Sequence, residues 1–245
     1  MTDWLQRSEL LIKPEGIEKL KKANVLVVGL GGVGSFAAEF LARAGVGNLT
    51  IVDGDVVDIT NVNRQLPALH TTVGKDKVEV VAERILDINP EINLVKMNEF
   101  LSPERMDEIL ESNHFDYVLD CIDSVSPKLA LIKACRRRKI KIVSSMGAGG
   151  KMDPSKVMVR DLSKTNNCFL AKQIRKRLKK EGINKGFRCV FSTEIQNESS
   201  LKLTDGSNYK KSFYGTISYM PALFGLNAAA EVINFLLKKI SKKQK

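Results

Sequence analysis

A glycine-rich turn between an apolar strand and a helix constrains the fold of this chain more than any other feature. Residues 24–28 form an apolar run typical of a strand, and a helix is predicted from Ser35. The turn between them contains Gly29, Gly31, Gly32 and Gly34. Glycines permit a tight turn and the close approach of a phosphate, and the first amides of the following helix suit anionic oxygens. The pattern indicates a nucleotide site.

The residues after the turn favour ATP over a dinucleotide. Asp53 ends the next apolar run about 20 residues further on, where an acid accepts hydrogen bonds from ribose hydroxyls. No Lys-Ser or Lys-Thr pair follows Gly34, so the turn is not a P-loop. The terminal phosphates of ATP therefore need other cations, and we predict Arg64 and Lys77 for this role. Both could instead be ordinary solvated charges, but a polar cluster surrounds Arg64 and favours the ATP interpretation: Asn61, Asn63 and Gln65.

Strand and helix patterns alternate through the first two thirds of the chain and predict an α/β fold. The expected architecture is a doubly wound, Rossmann-like, mostly parallel sheet with its ligand at the carboxyl ends of the strands. Predicted strands cover 25–28, 49–52, 92–97, 117–121 and 140–144. Predicted helices cover 35–44, 75–88, 103–110 and 127–138. A C-terminal extension follows, with short strands at 157–161 and 189–192, a polar segment 194–213 expected to be a mobile loop over the ligand face, and a closing helix 221–239.

Length and composition bound the remaining possibilities. The 245 residues fit a single domain, 1–245, with a nucleotide-binding core at 20–146 and a substrate-binding or dimer extension at 147–245. We expect a cytoplasmic protein without stable membrane insertion, because the apolar stretch 214–237 contains polar residues that are expensive in hydrocarbon. The four cysteines form no Cys-x-x-Cys pair, which disfavours a structural zinc site or a disulfide framework.

The chain is basic, with a net charge of +11, and its cations are clustered at 136–141, 172–188 and 238–245. In the second cluster Leu170, Ile174 and Leu178 repeat every four residues and predict the buried side of a helix. Its outer side then carries Arg175, Lys176 and Lys179, which we predict to bind a polyanion such as RNA. Solvated faces and an anionic membrane surface are the alternatives.

Asp123 follows the fourth predicted strand at the edge where the phosphates of ATP are expected. A carboxylate at this place can hold Mg²⁺ beside the α-phosphate. The alternative is a helix cap or turn residue before Pro127, a role that Ser124 or Ser126 could equally fill.

These motifs occur in the order and spacing of the ThiF/MoeB/ubiquitin-activating superfamily of carboxylate adenylators, which the chain resembles over nearly its whole length. Within it, the chain is similar to the tRNA threonylcarbamoyladenosine dehydratase branch. Segments that carry the second resemblance are Asp123-Ser124, 135–139, 147–150, Asp153-Pro154 and 190–194. Two departures are the missing pair of Cys-x-x-Cys motifs that ThiF and MoeB proteins usually carry and a shorter loop after Glu194.

The resemblance implies an ATP-dependent cyclisation of threonylcarbamoyladenosine in tRNA through a carboxyl-adenylate. It implies that Asp53 binds ribose, that the phosphates are bound by Asn61, Arg64 and Lys77, and that Asp123 binds Mg²⁺ or the α-phosphate. The ATP-binding residues are then Gly29, Gly31, Gly32, Gly34, Asp53, Asp55, Asn61, Arg64, Gln65, Lys77 and Asp123. Arg7 matches an arginine that inserts into the neighbouring subunit's ATP site, so a homodimer is expected, and a cysteine desulfurase or sulfur-acceptor partner is possible.

Three other functions are weighed against this one. Adenylation of the C-terminus of a sulfur-carrier or ubiquitin-like protein would favour an acceptor thiol, for which Cys168 and Cys189 are candidates. An NAD-dependent oxidoreductase needs a proton-transfer residue, and no motif places His70 or His114 at the nicotinamide. A non-catalytic RNA-binding protein with a vestigial nucleotide site is the third.

Overall fold

The fold is known from a computed structural model that describes residues 3–203 and 212–238. Its centre is a seven-stranded sheet. The strands are β1 (Asn24–Val28), β2 (Asn48–Val52), β3 (Asn93–Met97), β4 (Tyr117–Asp120), β5 (Ile142–Ser145), β6 (Val157–Asp161) and β7 (Arg188–Ser192). Their spatial order is β3-β2-β1-β4-β5-β7-β6, with every pairing parallel except that of β6 with β7. The predicted α/β, doubly wound, mostly parallel fold is confirmed.

Seven α-helices accompany the strands in the described residues. They are α1 (Gln6–Lys22), α2 (Gly34–Arg43), α3 (Lys77–Ile88), α4 (Pro103–Ser112), α5 (Val125–Arg137), α6 (Phe169–Lys179) and α7 (Tyr219–Lys238). The strands and helices predicted from the sequence begin and end within two residues of these bounds, as far as the described residues extend.

The helices cover both faces of the sheet, because successive side chains of a strand point to opposite sides. Val25 and Val27 of β1 belong to one core cluster, with residues of α2, α3 and α7. Leu26 and Val28 belong to a second cluster, with residues of α4, α5 and α6. Both faces of β1 are thus buried, which explains why its sequence is continuously apolar.

Two elements differ from the sequence-based expectation. The N-terminal helix α1 was not predicted; it is kinked at Lys13, whose φ is 66°, and it buries only Gly16, Ile17 and Leu20. The prediction of a mobile loop over 194–213 was wrong at 198–203 and 212–213, whereas 194–197 have no regular secondary structure. A 3₁₀ turn at Glu198–Ser200 leads into β8 (Leu201–Leu203), which pairs antiparallel with β9 (Ser212–Tyr214). Residues 204–211 of that prediction lie outside the described residues.

Helix α7 is long and apolar enough to cross a membrane by length and composition. In the fold it lies against the sheet and α2, and Met220, Phe224, Val232 and Leu236 are buried in the first core cluster. The packing is that of a core helix. Because α7 and β7 share this cluster with β1, the division into a core at 20–146 and an extension at 147–245 is kept only as a proposal.

Candidate active site

The candidate site lies at the carboxyl ends of β1, β2 and β4, where the order of the strands reverses. Backbone hydrogen bonds join the residue after one strand to the last residue of its neighbour: Gly29 N donates to Val52 O at 2.8 Å, and Cys121 N donates to Val28 O at 2.9 Å. The glycine turn, Asp53 and the segment 121–123 therefore meet at one edge of the sheet. In doubly wound folds, ligands bind in this crevice.

The glycines of the turn serve two different purposes. Gly29 has φ +91°, and a Cβ on Gly34 would lie 1.7 Å from the carbonyl oxygen of Gly29. The backbone itself therefore requires both glycines. A Cβ on Gly31 would have its nearest contacts at 3.8 and 3.9 Å, both with the amide group of Gln65. The protein leaves this position open, as expected where a ligand approaches the backbone.

Asp53 ties the end of β2 to the glycine turn. Its carboxylate accepts hydrogen bonds from Leu30 N at 2.6 Å and Asp55 N at 2.8 Å. Burial raises the pKa of Asp53, against the effect of these two donors. A carboxylate has about four lone-pair sites, so Asp53 can hold the turn and still accept from ribose hydroxyls.

Lys77 lies at the start of α3 and points into the protein. Its ammonium nitrogen is 2.9 Å from Asp55 Oδ2, and its side chain is 6% exposed, against 48% for Asp55. An ammonium has three donors, so Lys77 can pair with Asp55 and still donate to another acceptor. The sequence pointed to Lys77 as a phosphate ligand but not to its pairing with Asp55.

Arg64 and Asp123 are brought together from distant parts of the chain. Arg64 Nη1 donates to Thr60 O and to Asn63 Oδ1, each at 2.8 Å. Partial burial lowers the pKa of the guanidinium, and the negative charge of Asp123 opposes that shift. Ser124 occupies the N-cap position of α5 without a capping hydrogen bond from its side chain, and Asp123 lies one residue before that position. The half-buried Arg64 and the exposed Asp123 thus interact electrostatically at this edge of the sheet.

Of the polar residues around Arg64, Asn61 is buried and Gln65 is half-buried. Asn61 accepts from Asp58 N at 3.2 Å and holds the 3₁₀ turn Ile59–Asn61. Gln65 extends its amide towards Gly31, and its Oε1 is buried with no hydrogen-bond partner among the described residues. Buried polar atoms without a protein partner are rare, and ordered water or a ligand explains them when they border a cleft.

Sequence reasoning missed a buried ion pair beneath the site. Lys128 Nζ lies 2.8 Å from Asp120 Oδ2 and 2.9 Å from Ser145 O, and both charged side chains are 0% exposed. Asp120 Oδ1 in turn accepts from Ile122 N at 3.1 Å. Burial raises the pKa of Asp120. The pair connects α5, β4 and β5 and fixes the short segment that carries Asp123.

Arg7 is exposed in the first turn of α1. Its predicted insertion into a neighbouring subunit involves a second chain, and it stays a prediction.

Helix α6 has the two sides that its sequence predicts. Ile174 and Leu178 are fully buried, and Leu170 packs against the same cluster. The basic residues of α6 line an open cavity of about 350 Å³ together with Ser163 and Asn184: Lys172, Arg175, Lys176 and Lys179. Arg175 is tied to its own chain, donating to Thr165 O at 2.8 Å, whereas the three lysines are exposed.

The arginines of the first basic cluster are bonded to other parts of the chain, and most of the third cluster lies outside the described residues. Arg136 donates to Gly186 O at 2.8 Å, and Arg137 and Arg138 both pair with Asp107. The tail lysines beyond Lys238 lie outside the described residues. Of the three clusters, α6 is therefore the one with several exposed cations around a cavity in the part of the chain that is described.

The two cysteines considered as acceptor thiols are buried. Cys168 is 4% exposed and Cys189 is 0% exposed, and burial raises the pKa of Cys189. A thiol in this environment is poorly placed to attack an acyl-adenylate. Residues 3–203 and 212–238 also contain no group of three or more His, Cys, Asp or Glu side chains suited to a metal ion.

A doubly wound sheet with a glycine turn, an acid after β2, and Arg64 and Asp123 at the switch point defines a nucleotide-binding α/β protein. The ThiF family model matches residues 5–245, and the chain belongs to the ThiF family.

Among its relatives, the tRNA threonylcarbamoyladenosine dehydratase of Bacillus subtilis (strain 168) is 42% identical, over 100% of this chain and 98% of that protein. The Haemophilus influenzae molybdopterin-synthase adenylyltransferase is 40% identical over 61% of this chain and 64% of its own length. Among solved structures, the Escherichia coli tRNA N6-threonylcarbamoyladenosine dehydratase TcdA in complex with ATP has a TM-score of 0.88 and 39% identity. That match covers 100% of this chain and 99% of the other.

Proposed function

We propose that this protein is an ATP-dependent tRNA threonylcarbamoyladenosine dehydratase. The observation that carries the proposal is the end-to-end match to the dehydratase of Bacillus subtilis, at 42% identity. The solved relative of the same name is in complex with ATP, and the open space at Gly31 supports binding of the same nucleotide here.

In the proposed reaction, a carboxylate oxygen of the threonyl group attacks the α-phosphorus of ATP and pyrophosphate leaves. The carbamoyl group then closes on the activated carbonyl, loses a proton, and displaces AMP. The substrate loses one water in total, whose oxygen is carried away in AMP. A carboxylate is a poor electrophile, so the enzyme must stabilise the charge on the departing pyrophosphate.

The site residues divide between the two ends of ATP. We assign ribose to Asp53 and place the phosphates along the turn of Gly29, Gly31, Gly32 and Gly34. Arg64 and Lys77 stabilise the phosphates, and the polar residues around them complete the site: Asp55, Asn61 and Gln65. The support for these roles is their shared position at the carboxyl edge and the electrostatic interaction of the half-buried Arg64 with Asp123.

Asp123 fits a magnesium ion. Mg²⁺ is usually held by one or two carboxylates together with phosphate oxygens and water, not by a cage of protein ligands. The exposed carboxylate of Asp123 meets that requirement, since it interacts with Arg64, the cation proposed to bind the phosphates. When bound, Mg²⁺ neutralises part of the charge on the phosphates.

The partners follow from the substrate. We assign tRNA to the outer side of α6, with Arg175, Lys176 and Lys179 as the first candidates and Lys172 beside them. Arg7 is proposed to act in the ATP site of a second copy in a homodimer. A cysteine desulfurase or sulfur-acceptor partner and a cytoplasmic location are kept as further proposals.

Exchange of labelled pyrophosphate into ATP tests the proposal. We expect exchange with tRNA that carries threonylcarbamoyladenosine and none with the same tRNA lacking the modification. The competing function is adenylation of a sulfur-carrier protein, which is favoured by the similarity to molybdopterin-synthase adenylyltransferase over 61% of the chain. Exchange that depends on such a carrier protein and not on modified tRNA would overturn the dehydratase assignment.

A further inference from the structure

Helix α6 starts at the edge of the sheet where the second substrate must enter. A Cβ on Gly147 would lie 4.0 Å from Leu170 Cβ, and Asn167 Nδ2 donates to Thr193 O at 2.9 Å. Gly147 and Thr193 follow β5 and β7 at their carboxyl ends. The proposed nucleotide residues follow β1, β2 and β4, so β5 and β7 offer the free side of the same edge.

Phe169, the first residue of α6, is 51% exposed at this edge. The buried side of the helix contains Ala171, Ile174 and Leu178, each 0% exposed. Phe169 belongs to the opposite side and takes no part in the core clusters. Single exposed apolar side chains are common on protein surfaces, so Phe169 is a candidate for ligand contact only because of the residues beside it.

The exposed ring of Phe169 lies on the same side of α6 as two lysine side chains. Lys172 and Lys176 follow Phe169 at spacings of three and four residues, which places all three on one side of a helix. At 1.5 Å per residue the row extends about 10 Å along the axis. Both lysines also line the 350 Å³ cavity beside α6.

This arrangement matches how single-stranded RNA is bound. Aromatic side chains stack on unpaired bases, and adjacent cations follow the backbone phosphates. The reacting carboxylate is a substituent of the modified adenosine, so a contact with the neighbouring base of an unpaired strand would help to hold it at the ATP site.

We propose that Phe169 stacks on the nucleobase next to the modified adenosine, while Lys172 and Lys176 bind the phosphates of the same strand. The inference rests on the proposed dehydratase function. It adds a stacking contact beside the basic cavity, and it gives the RNA a direction across the protein, from the carboxyl edge of β5 and β7 along α6.

Two substitutions at Phe169 separate stacking from hydrophobicity, and two lysine substitutions test the ionic contacts. Phe169→Leu keeps an apolar side chain without a ring, and Phe169→Tyr keeps the ring. We expect Phe169→Leu to weaken binding of threonylcarbamoyladenosine-containing tRNA about 5- to 150-fold, and Phe169→Tyr to bind like the parent. Because stacking is not ionic, the loss should be equal at all salt concentrations. Lys172→Ala and Lys176→Ala should instead each reduce the slope of log affinity against log salt by about 0.7.

Direct titration of ATP and sedimentation of each variant complete the experiment. ATP affinity and oligomeric state should stay unchanged in all four variants. Parental tRNA affinity in Phe169→Leu, an equal loss in Phe169→Tyr, or dissociation of subunits in Phe169→Leu would each overturn the inference. If the parent itself does not cyclise the modified tRNA, the proposed function fails and the inference with it. An active parent with an unaffected Phe169→Leu variant overturns the inference alone.

Discussion

At the residue scale, Gly31 and Gly34 belong to the same turn but should respond differently to a side chain. A Cβ at Gly34 would overlap the carbonyl oxygen of Gly29 at 1.7 Å, whereas a Cβ at Gly31 meets only ordinary contacts. Gly34→Ala should therefore lower the melting temperature strongly or prevent folding. Gly31→Ala should fold with parental stability and lose ATP affinity by on the order of tenfold, because the methyl group occupies the space of the ligand.

Thermal unfolding and calorimetric titration with ATP distinguish the two variants. Gly31→Ala that binds ATP as tightly as the parent would show that the nucleotide does not approach this turn. The sequence could identify both glycines, but not which one the backbone requires, since that depends on the 1.7 Å approach within the folded turn.

For Lys77, too, the sequence identified the residue but not its contacts in the fold. Its position after the glycine and asparagine motifs pointed to the nucleotide site, and the structure places it at the start of α3. Its pairing with Asp55 at 2.9 Å depends on how residues between 55 and 77 return to the sheet edge. That path leaves no periodic signal in the sequence.

At the element scale, the Lys128–Asp120 pair fastens α5 to β4 and β5. Lys128→Met removes the cation and leaves the Asp120 carboxylate fully buried without a counter-charge, with hydrogen bonds only from Ile122 N and Ser144 Oγ. Breaking a buried pair in this way costs about 3–5 kcal/mol. We therefore expect a matching fall in the free energy of unfolding measured in urea, and partial recovery in the double variant Lys128→Met/Asp120→Asn, which removes both charges. A Lys128→Met protein as stable as the parent would contradict the ion pair.

The elements that sequence analysis missed are those with weak patterns. Helix α1 buries only three residues and is interrupted at Lys13, so it has little apolar periodicity. Strands β8 and β9 have three residues each, too few for alternation to be recognised. By contrast, β1 and β4 are fully or almost fully buried, and their apolar runs identified them directly.

At the scale of the whole molecule, the proposed dimer makes Arg7 and Asp123 contribute to one site from different chains. Arg7→Ala and Asp123→Ala should each be inactive alone. In a mixture, every heterodimer contains one site with both residues intact, so about one quarter of the parental sites should return after random exchange. Pyrophosphate exchange measured before and after mixing checks this. If subunits demonstrably exchange and no activity returns, Arg7 does not act across the interface.

The central claim is that the substrate carboxylate is activated as an adenylate, and oxygen transfer tests it most directly. tRNA carrying threonylcarbamoyladenosine labelled with oxygen-18 in both carboxylate oxygens is incubated with ATP and the protein, and the AMP is analysed by mass spectrometry. Attack of the carboxylate on the α-phosphorus transfers one labelled oxygen, so the account predicts AMP with a single oxygen-18 in amounts equal to the cyclic product. Unlabelled AMP alongside cyclic product would contradict it.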